Sequence, residues 1–499
     1  MRVLLLSMPD SFEHTPSLAI RMPNGALASL AGNLDAHHDV GIVDLILAQH
    51  AVRATVERLV RERQPDIVGL SIMTFQRPTA LGLIQLIRSL RPEVTIVAGG
   101  YDPSLAPEAY ERADSGVDFI VRGEGELTFR DLVRALEAGA PADAIPGLSW
   151  RSAGGFVHNP ERRVSPLAQG EIRSPNRAAR LLDGYTFMGR RIDVVETSRG
   201  CTYDCSFCSI IEMRGRNFHR FAIERVIDDI RDARDRGARA IFLVDDNITL
   251  DLKRFQALCR AIIDAGLADI HYIVQGMTSA IAAAGEELAP LMRRAGFRYV
   301  FLGIENVLAG DLAFLRAAAK NAKRGTGSRD GNATIRAIEV LHRHGLLVVG
   351  GLIVGNPDDT AESIEANLAF ARQYIDWPYI QHPTPYPRTP MATTFRERGL
   401  LLTEDVGRYD GTTAVVRTSA LTGDEIEFLR WRAERWMKVR HVLSVLRWYP
   451  VFTMRYAGRM LAHTFRGCSW RTLAGFEDER AAFERYRRIR ETERAAVRA

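Results

Sequence analysis

The chain has 499 residues, 46% hydrophobic and 25% charged, which fits about two to four globular domains with cores of their own. A net charge of +5 does not call for a nucleic-acid partner, and no apolar stretch reaches the length of a bilayer span. The opening MRVLLLSMPDSFEH carries a short apolar run soon broken by Asp10 and Glu13, which predicts a first strand rather than a secretory leader. Arg2 to Ser7 is that strand, Ala26 to Asp35 suits a helix, and Asp39 to Asp44 predicts a second strand before a helix over Ala51 to Glu62. DIVGLSIMT, a helix through Leu90, VTIVAGG, DFIVRGEGE and an amphipathic helix from Leu127 to Glu137 continue the alternation. Apolar strands alternating with helices predict a doubly wound, Rossmann-like parallel sheet with ligands beyond the strand C-termini. There stand Ser71 and Thr74, Gly99 and Gly100, and Gly123, Glu124, Gly125 and Glu126, where glycine lets a large flat ligand approach the main chain.

Residues 141–187 carry turn signals and short strands and read as a linker. From Ile192 the rhythm resumes, with strands expected at Ile192–Thr197, Ala240–Val244, Tyr272–Val274, Tyr299–Gly303, Leu347–Val354 and Tyr379–His382. Gly237, Gly266, Gly296 and Gly345 fall between helix and strand, where left-handed C-caps are expected. Six such units predict a partial (β/α)6 barrel over 188–395. Directly after the first strand comes RGCTYDCSFC, with Cys201, Cys205 and Cys208 spaced C-x3-C-x2-C. Three thiolates on one loop hold three irons of a 4Fe–4S cube and leave the fourth iron to a small molecule. A structural zinc site would want a fourth ligand, commonly from a second C-x2-C pair, and none exists here. The other two cysteines, Cys259 and Cys468, are isolated; Cys259 sits in an apolar helical pattern and suits a core. So few cysteines, with an oxygen-sensitive cluster, point to a reducing cytosol.

The segment TSRGCTYDCSFCS resembles the cluster loop of radical S-adenosylmethionine (SAM) enzymes. The resemblance implies that the open iron chelates SAM, whose reductive cleavage gives a 5′-deoxyadenosyl radical. It implies further that Phe207 and Gly351 and Gly355 of GGLIVGNP lie by adenine, and Glu305 by the ribose and amino acid. Gln275 is expected at the SAM carboxylate or the substrate. Asp246, in Asp245-Asp246-Asn247, is expected either to face SAM or to cap a helix. IVAGGYDPSLAPE followed by DFIVRGEGE resembles the cobalamin-binding domain that precedes the barrel in one branch of that family, over residues 1–140. The Asp-x-His-x-x-Gly cobalt motif is absent. His14 has the wrong spacing and reads more simply as a loop histidine. A domain of this fold that binds nothing is the plainer alternative. Arg216, His219 and Arg220 face either SAM or solvent.

The last stretch, 396–499, reads as a C-terminal helical cap that mixes aromatics and arginines. It packs on the barrel or docks on a membrane surface, and it is the expected seat of substrate selectivity. Taken together, the resemblance implies a cobalamin-dependent radical SAM C-methyltransferase that moves methyl from SAM through methylcobalamin to an unactivated carbon. The expected substrate is a hydrophobic, lipid-like or polycyclic small molecule. The electron donor would be of flavodoxin or ferredoxin type, and the location cytoplasmic, with peripheral contact at the inner membrane surface. Oxidative cyclisation or ring rearrangement without methyl transfer, and a non-catalytic iron–sulfur protein, are the alternatives.

Overall fold

The computed structural model describes residues 1–11, 18–320 and 333–498, so His14 lies outside the described residues. Five parallel strands stand in the order Asp39–Asp44, Arg2–Ser7, Ile67–Ser71, Thr95–Gly99 and Phe119–Val121. An antiparallel hairpin, Leu148–Ser152 with Gly155–His158, extends the last edge. The stretch read as a linker therefore gives two strands to this sheet. Both sheet faces are covered, which is why the strands are continuous apolar runs rather than alternating ones. Val3 and Leu5 pack under helices Gly25–Asn33 and Gly125–Ala138, through Leu27, Phe129 and Leu132. Leu4 and Leu6 face helices Val52–Arg63 and Arg77–Leu90, through Val56, Leu59 and Ile84.

Six further parallel strands follow one another in space as in sequence: Arg190–Val195, Ala240–Leu243, His271–Met277, Phe297–Glu305, Leu347–Ile353 and Trp377–Gln381. They curl without closing, and the first edge is extended by the two-residue strands Thr186–Phe187 and Ile20–Arg21. Ile20 and Arg21 come from the N-terminal region, so chain from the first domain is hydrogen-bonded into the second sheet. Gly237, Gly266, Gly296 and Gly345 all take positive φ at their helix-to-strand turns. At Gly296 the demand is also steric, because a Cβ there would stand 2.4 Å from the Ile270 carbonyl oxygen.

The C-terminal region is helical: Gly423–Trp448, Pro450–Thr464 and Glu479–Arg498. Thr422 and Glu425 form a reciprocal capping box at the start of the first of these. That helix runs the length of the barrel. Ile426, near its start, meets Gly355 beyond the end of the fifth strand. Val445, Tyr449 and Phe452 pack with Ile192, Ala240, Ile273 and Tyr299 around the strands' N-terminal ends. The cap thus plugs the barrel floor. Within this region Arg430 pairs with Glu434 one turn on in the same helix at 2.6 Å, and Arg490 of the last helix pairs with Asp410 at 3.0 Å, both buried. No described helix is long and apolar enough to cross a membrane.

Candidate active site

The cysteine loop begins where the first barrel strand ends. Gly200 is required there: its φ is +88°, and a Cβ would meet the Asn217 carbonyl oxygen at 2.4 Å. The main chain of the loop is pinned from outside, with Ser206 N–H donating to the Leu315 carbonyl at 3.0 Å and Met391 N–H to the Ser206 carbonyl at 2.9 Å. Cys205 is buried, while Cys201 and Cys208 are half-buried. All three line a cavity of about 230 Å³ inside the barrel mouth.

Phe207, Asp246, Gln275, Glu305 and Gly351 line the same cavity, so five residues from three strands and two loops converge on the cysteines. Glu305 stands at a register shift between the fourth and fifth strands with φ +64°, a conformation that costs a side-chain-bearing residue energy. Gly351 leaves room for Phe301, whose ring edge would lie 3.0 Å from an added Cβ. Among the described lining residues there is no fourth thiol and no imidazole. That donor set suits a cluster with one corner left to a small molecule.

The second cavity, of about 390 Å³, opens at the C-terminal ends of the first sheet. Ser71, Gly99, Gly100, Gly123, Glu124, Gly125 and Glu126 line it, as does Gly69 in mid-strand. Gly100 has φ +101°, and a Cβ there would strike the Ile72 backbone at 2.8 Å. Main chain therefore forms much of the wall, as a large flat ligand requires. Among the described residues no histidine lines it.

The two cavities share a wall of charge. Arg214, which lines the second cavity, donates to Asp246 of the first at 3.2 Å, and its Nε lies 3.9 Å from Glu124. Asp246 also accepts the Gly200 N–H at 2.7 Å. Arg199, two residues before Cys201, is buried and pairs with Glu126 at 2.6 Å and Glu196 at 2.8 Å. Burial opposes the charge on Glu126, but the Arg199 guanidinium and the Ser29 hydroxyl overcome it and hold that carboxyl at about 2. Asp245 turns away from both cavities to accept from Thr197 N–H, Thr197 Oγ1 and Ser198 Oγ. Burial pushes it up to about 6 against those three donors.

Some sequence expectations land elsewhere. Thr74 is buried in the turn after Ser71 and does not line the second cavity. Gly355, at φ +100°, lies outside the cysteine cavity; its N–H donates to Asp359 and its Cα face meets Ile426. The Asp245-Asp246-Asn247 run caps no helix through its side chains; Asp251 caps the helix that follows. Arg216 and Arg220 are exposed, and Arg220 pairs with Asp251. No described residue lining the cysteine cavity lies beyond Gln381, so the cap expected to select substrate is not a wall of that cavity. Sequence reasoning missed Arg199, Arg214, Tyr379 and Gln381. Arg214 is indistinguishable in the sequence from Arg216, two positions on; only the turn of the short helix Ser209–Arg214 buries one of them.

Residues 17–133 match the B12 binding domain family and residues 195–371 the radical SAM superfamily. An uncharacterized methyltransferase of Pyrococcus horikoshii is 31% identical over 437 residues, 87% of this chain and 91% of its own. This chain belongs to the cobalamin-binding radical SAM family. The radical SAM enzyme is also similar to the anaerobic magnesium-protoporphyrin IX monomethyl ester cyclase of Rubrivivax gelatinosus, at 27% identity over 85% of this chain and 75% of that one. Its fold matches the radical SAM methyltransferase TsrM from Kitasatospora setae, solved with cobalamin and a 4Fe–4S cluster, with a TM-score of 0.65 and 22% identity over 80% of this chain and 78% of that one.

Proposed function

We propose that this enzyme transfers a methyl group from SAM, by way of cobalamin, to an unactivated carbon of a hydrophobic small molecule. The observation that carries the reading is the shared wall: the cysteine cavity and the glycine-walled cavity meet across Arg214 and Asp246, 3.2 Å apart. When bound, the cluster would supply the electron that splits SAM, and cobalamin would relay the methyl group. In this reading Cys201, Cys205 and Cys208 hold three irons. Asp246, Gln275 and Glu305 accept from the ammonium and hydroxyl groups of SAM, and Phe207 and Gly351 border its adenine. Ser71, Gly99, Gly100, Gly123, Glu124 and Gly125 cradle cobalamin, while Glu126 holds Arg199 rather than the ligand. Phe301 and Tyr379, both on the cavity wall, exclude water from the reacting carbon. A cytoplasmic location and an electron donor of flavodoxin or ferredoxin type belong to the same proposal.

The test is anaerobic turnover with methyl-deuterated SAM, a strong reductant and an extract of candidate substrates. A product heavier by the labelled methyl is expected, and Cys201→Ala should abolish it. The cyclase relative favours a second reading, ring closure without methyl transfer. An unlabelled, cyclised product would establish that reading and overturn the first.

A further inference from the structure

From Trp436 to Phe476 the chain has no aspartate or glutamate, yet it carries Lys438, Arg440, Arg447, Arg455, Arg459, Arg466 and Arg471. Elsewhere arginines are heavily paired with carboxylates, as Arg177, Arg199 and Arg490 are. Arg447, Arg455, Arg459 and Arg471 are exposed and have no carboxylate partner among the described residues. The helix Pro450–Thr464 is held to the barrel floor by one face, through Phe452 and Thr453. Its other face presents Val451 and Met454, 71% and 74% exposed, with Arg455, Arg459 and Leu461 beside them at helical spacing. The next turn exposes Trp470 and Phe476 to 71% and 70%, with their rings in edge contact. Leu461 also borders an apolar groove walled by Val439, Val442, Phe452 and Met460.

We propose that the helix Pro450–Thr464 and the turn Trp470–Phe476 form a docking surface for an anionic lipid bilayer. The apolar side chains enter the interface, and the unpaired guanidiniums meet lipid phosphates, to which they donate in planar pairs. Charge complementarity selects this occupant: the stretch has no acid of its own and four exposed arginines without a carboxylate partner among the described residues, and the neighbouring Glu477 and Glu493 are taken up by Arg485 and Arg466, so a negatively charged membrane matches it. The helix Pro450–Thr464 lies by the strands' N-terminal ends, at the far end of the barrel from the cysteines, while Cys468, just before the turn, packs on Phe428 and Trp431 of the cap helix. The proposal rests on this surface alone and stands or falls apart from the methyl-transfer reading.

Flotation of the full-length, anaerobically reconstituted protein with vesicles tests it. Phosphatidylcholine vesicles containing phosphatidylglycerol should carry the protein at ~0.1 M salt, and phosphatidylcholine alone should carry at least about tenfold less. Raising the salt to ~1 M should release most of it. Arg455→Glu with Arg459→Glu should remove the preference for anionic lipid, and Met454→Asp should weaken binding about tenfold. All three side chains are exposed, so the fold should survive, and hydrogen exchange on the wild type should slow over 450–476 when vesicles are added. Absence of flotation with any vesicle, equal binding to neutral lipid, or unchanged binding by the variants would overturn the proposal. So would self-association lost in Met454→Asp, or salt-sensitive RNA retention without lipid binding.

Discussion

Arg199 stands two positions before Cys201 on one domain and binds Glu126 from the other, both nearly dry. A buried pair of this kind is costly to break from one side, because the remaining charge is stranded. Arg199→Met should therefore destabilise the reconstituted protein by about 3–5 kcal/mol in denaturant unfolding and lower its bound iron. The double variant with Glu126→Gln should recover much of that loss; no recovery would show that the pair does not act as a unit. Asp245 works on the same loop from the other side. Asp245→Asn turns an amide N–H toward hydroxyls that now donate to a carboxylate, and a loss of about 1–3 kcal/mol is expected. The sequence placed the cysteines and the adjacent acids correctly. It did not show that Asp245, the other acid of the run, turns into the main chain of the loop, because that depends on strand pleat and loop path rather than on residue type.

At the scale of the element, two glycines of one motif separate in role. Gly351 lies within the fifth strand and lines the cavity, while Gly355, four residues on, turns with φ +100° against the cap helix. Gly351→Ala should raise the KM for SAM with little change in unfolding midpoint, since its neighbour is the edge of one Phe301 ring. Gly355→Ala should lower stability by about 1–2 kcal/mol, through positive φ and a Cβ 2.9 Å from Ile426, and leave KM nearly unchanged. The reverse pattern would mean that the second glycine, not the first, meets the nucleotide. The strands themselves were legible: Arg2–Ser7 and Asp39–Asp44 fall where apolar runs and turn residues place them. The hairpin Leu148–His158 was not assigned to the sheet, because its strands are short and set among turn residues, and the outer one, Gly155–His158, is largely exposed and carries little apolar signal.

For the whole molecule, pH acts on the supports of the residues just before Cys201 with two opposite signs. Glu126 is held at about 2, below its ordinary 4.5, so its contribution is complete above pH ~4.5 and is lost as pH falls toward 2. Asp245 is raised to about 6 from 3.8, so its contribution is complete below pH ~3.8 and is lost as pH rises through 6. Unfolding midpoints measured from pH 5 to 7 should fall for the wild type and change less for Asp245→Asn. An identical slope in both would remove Asp245 from the account.

Sequence alone determined the chemistry of the cluster loop and the α/β order of both domains, because thiol spacing and apolar periodicity are local properties of the chain. It also marked the mixture of aromatics and arginines in the last hundred residues, a matter of composition. Tertiary structure decided which charges are shared between domains, that the two cavities meet across Arg214 and Asp246, and that the cap closes the barrel floor rather than the cysteine cavity. Those outcomes depend on residues more than thirty positions apart arriving at the same place, and packing two sheets together is what brings them there.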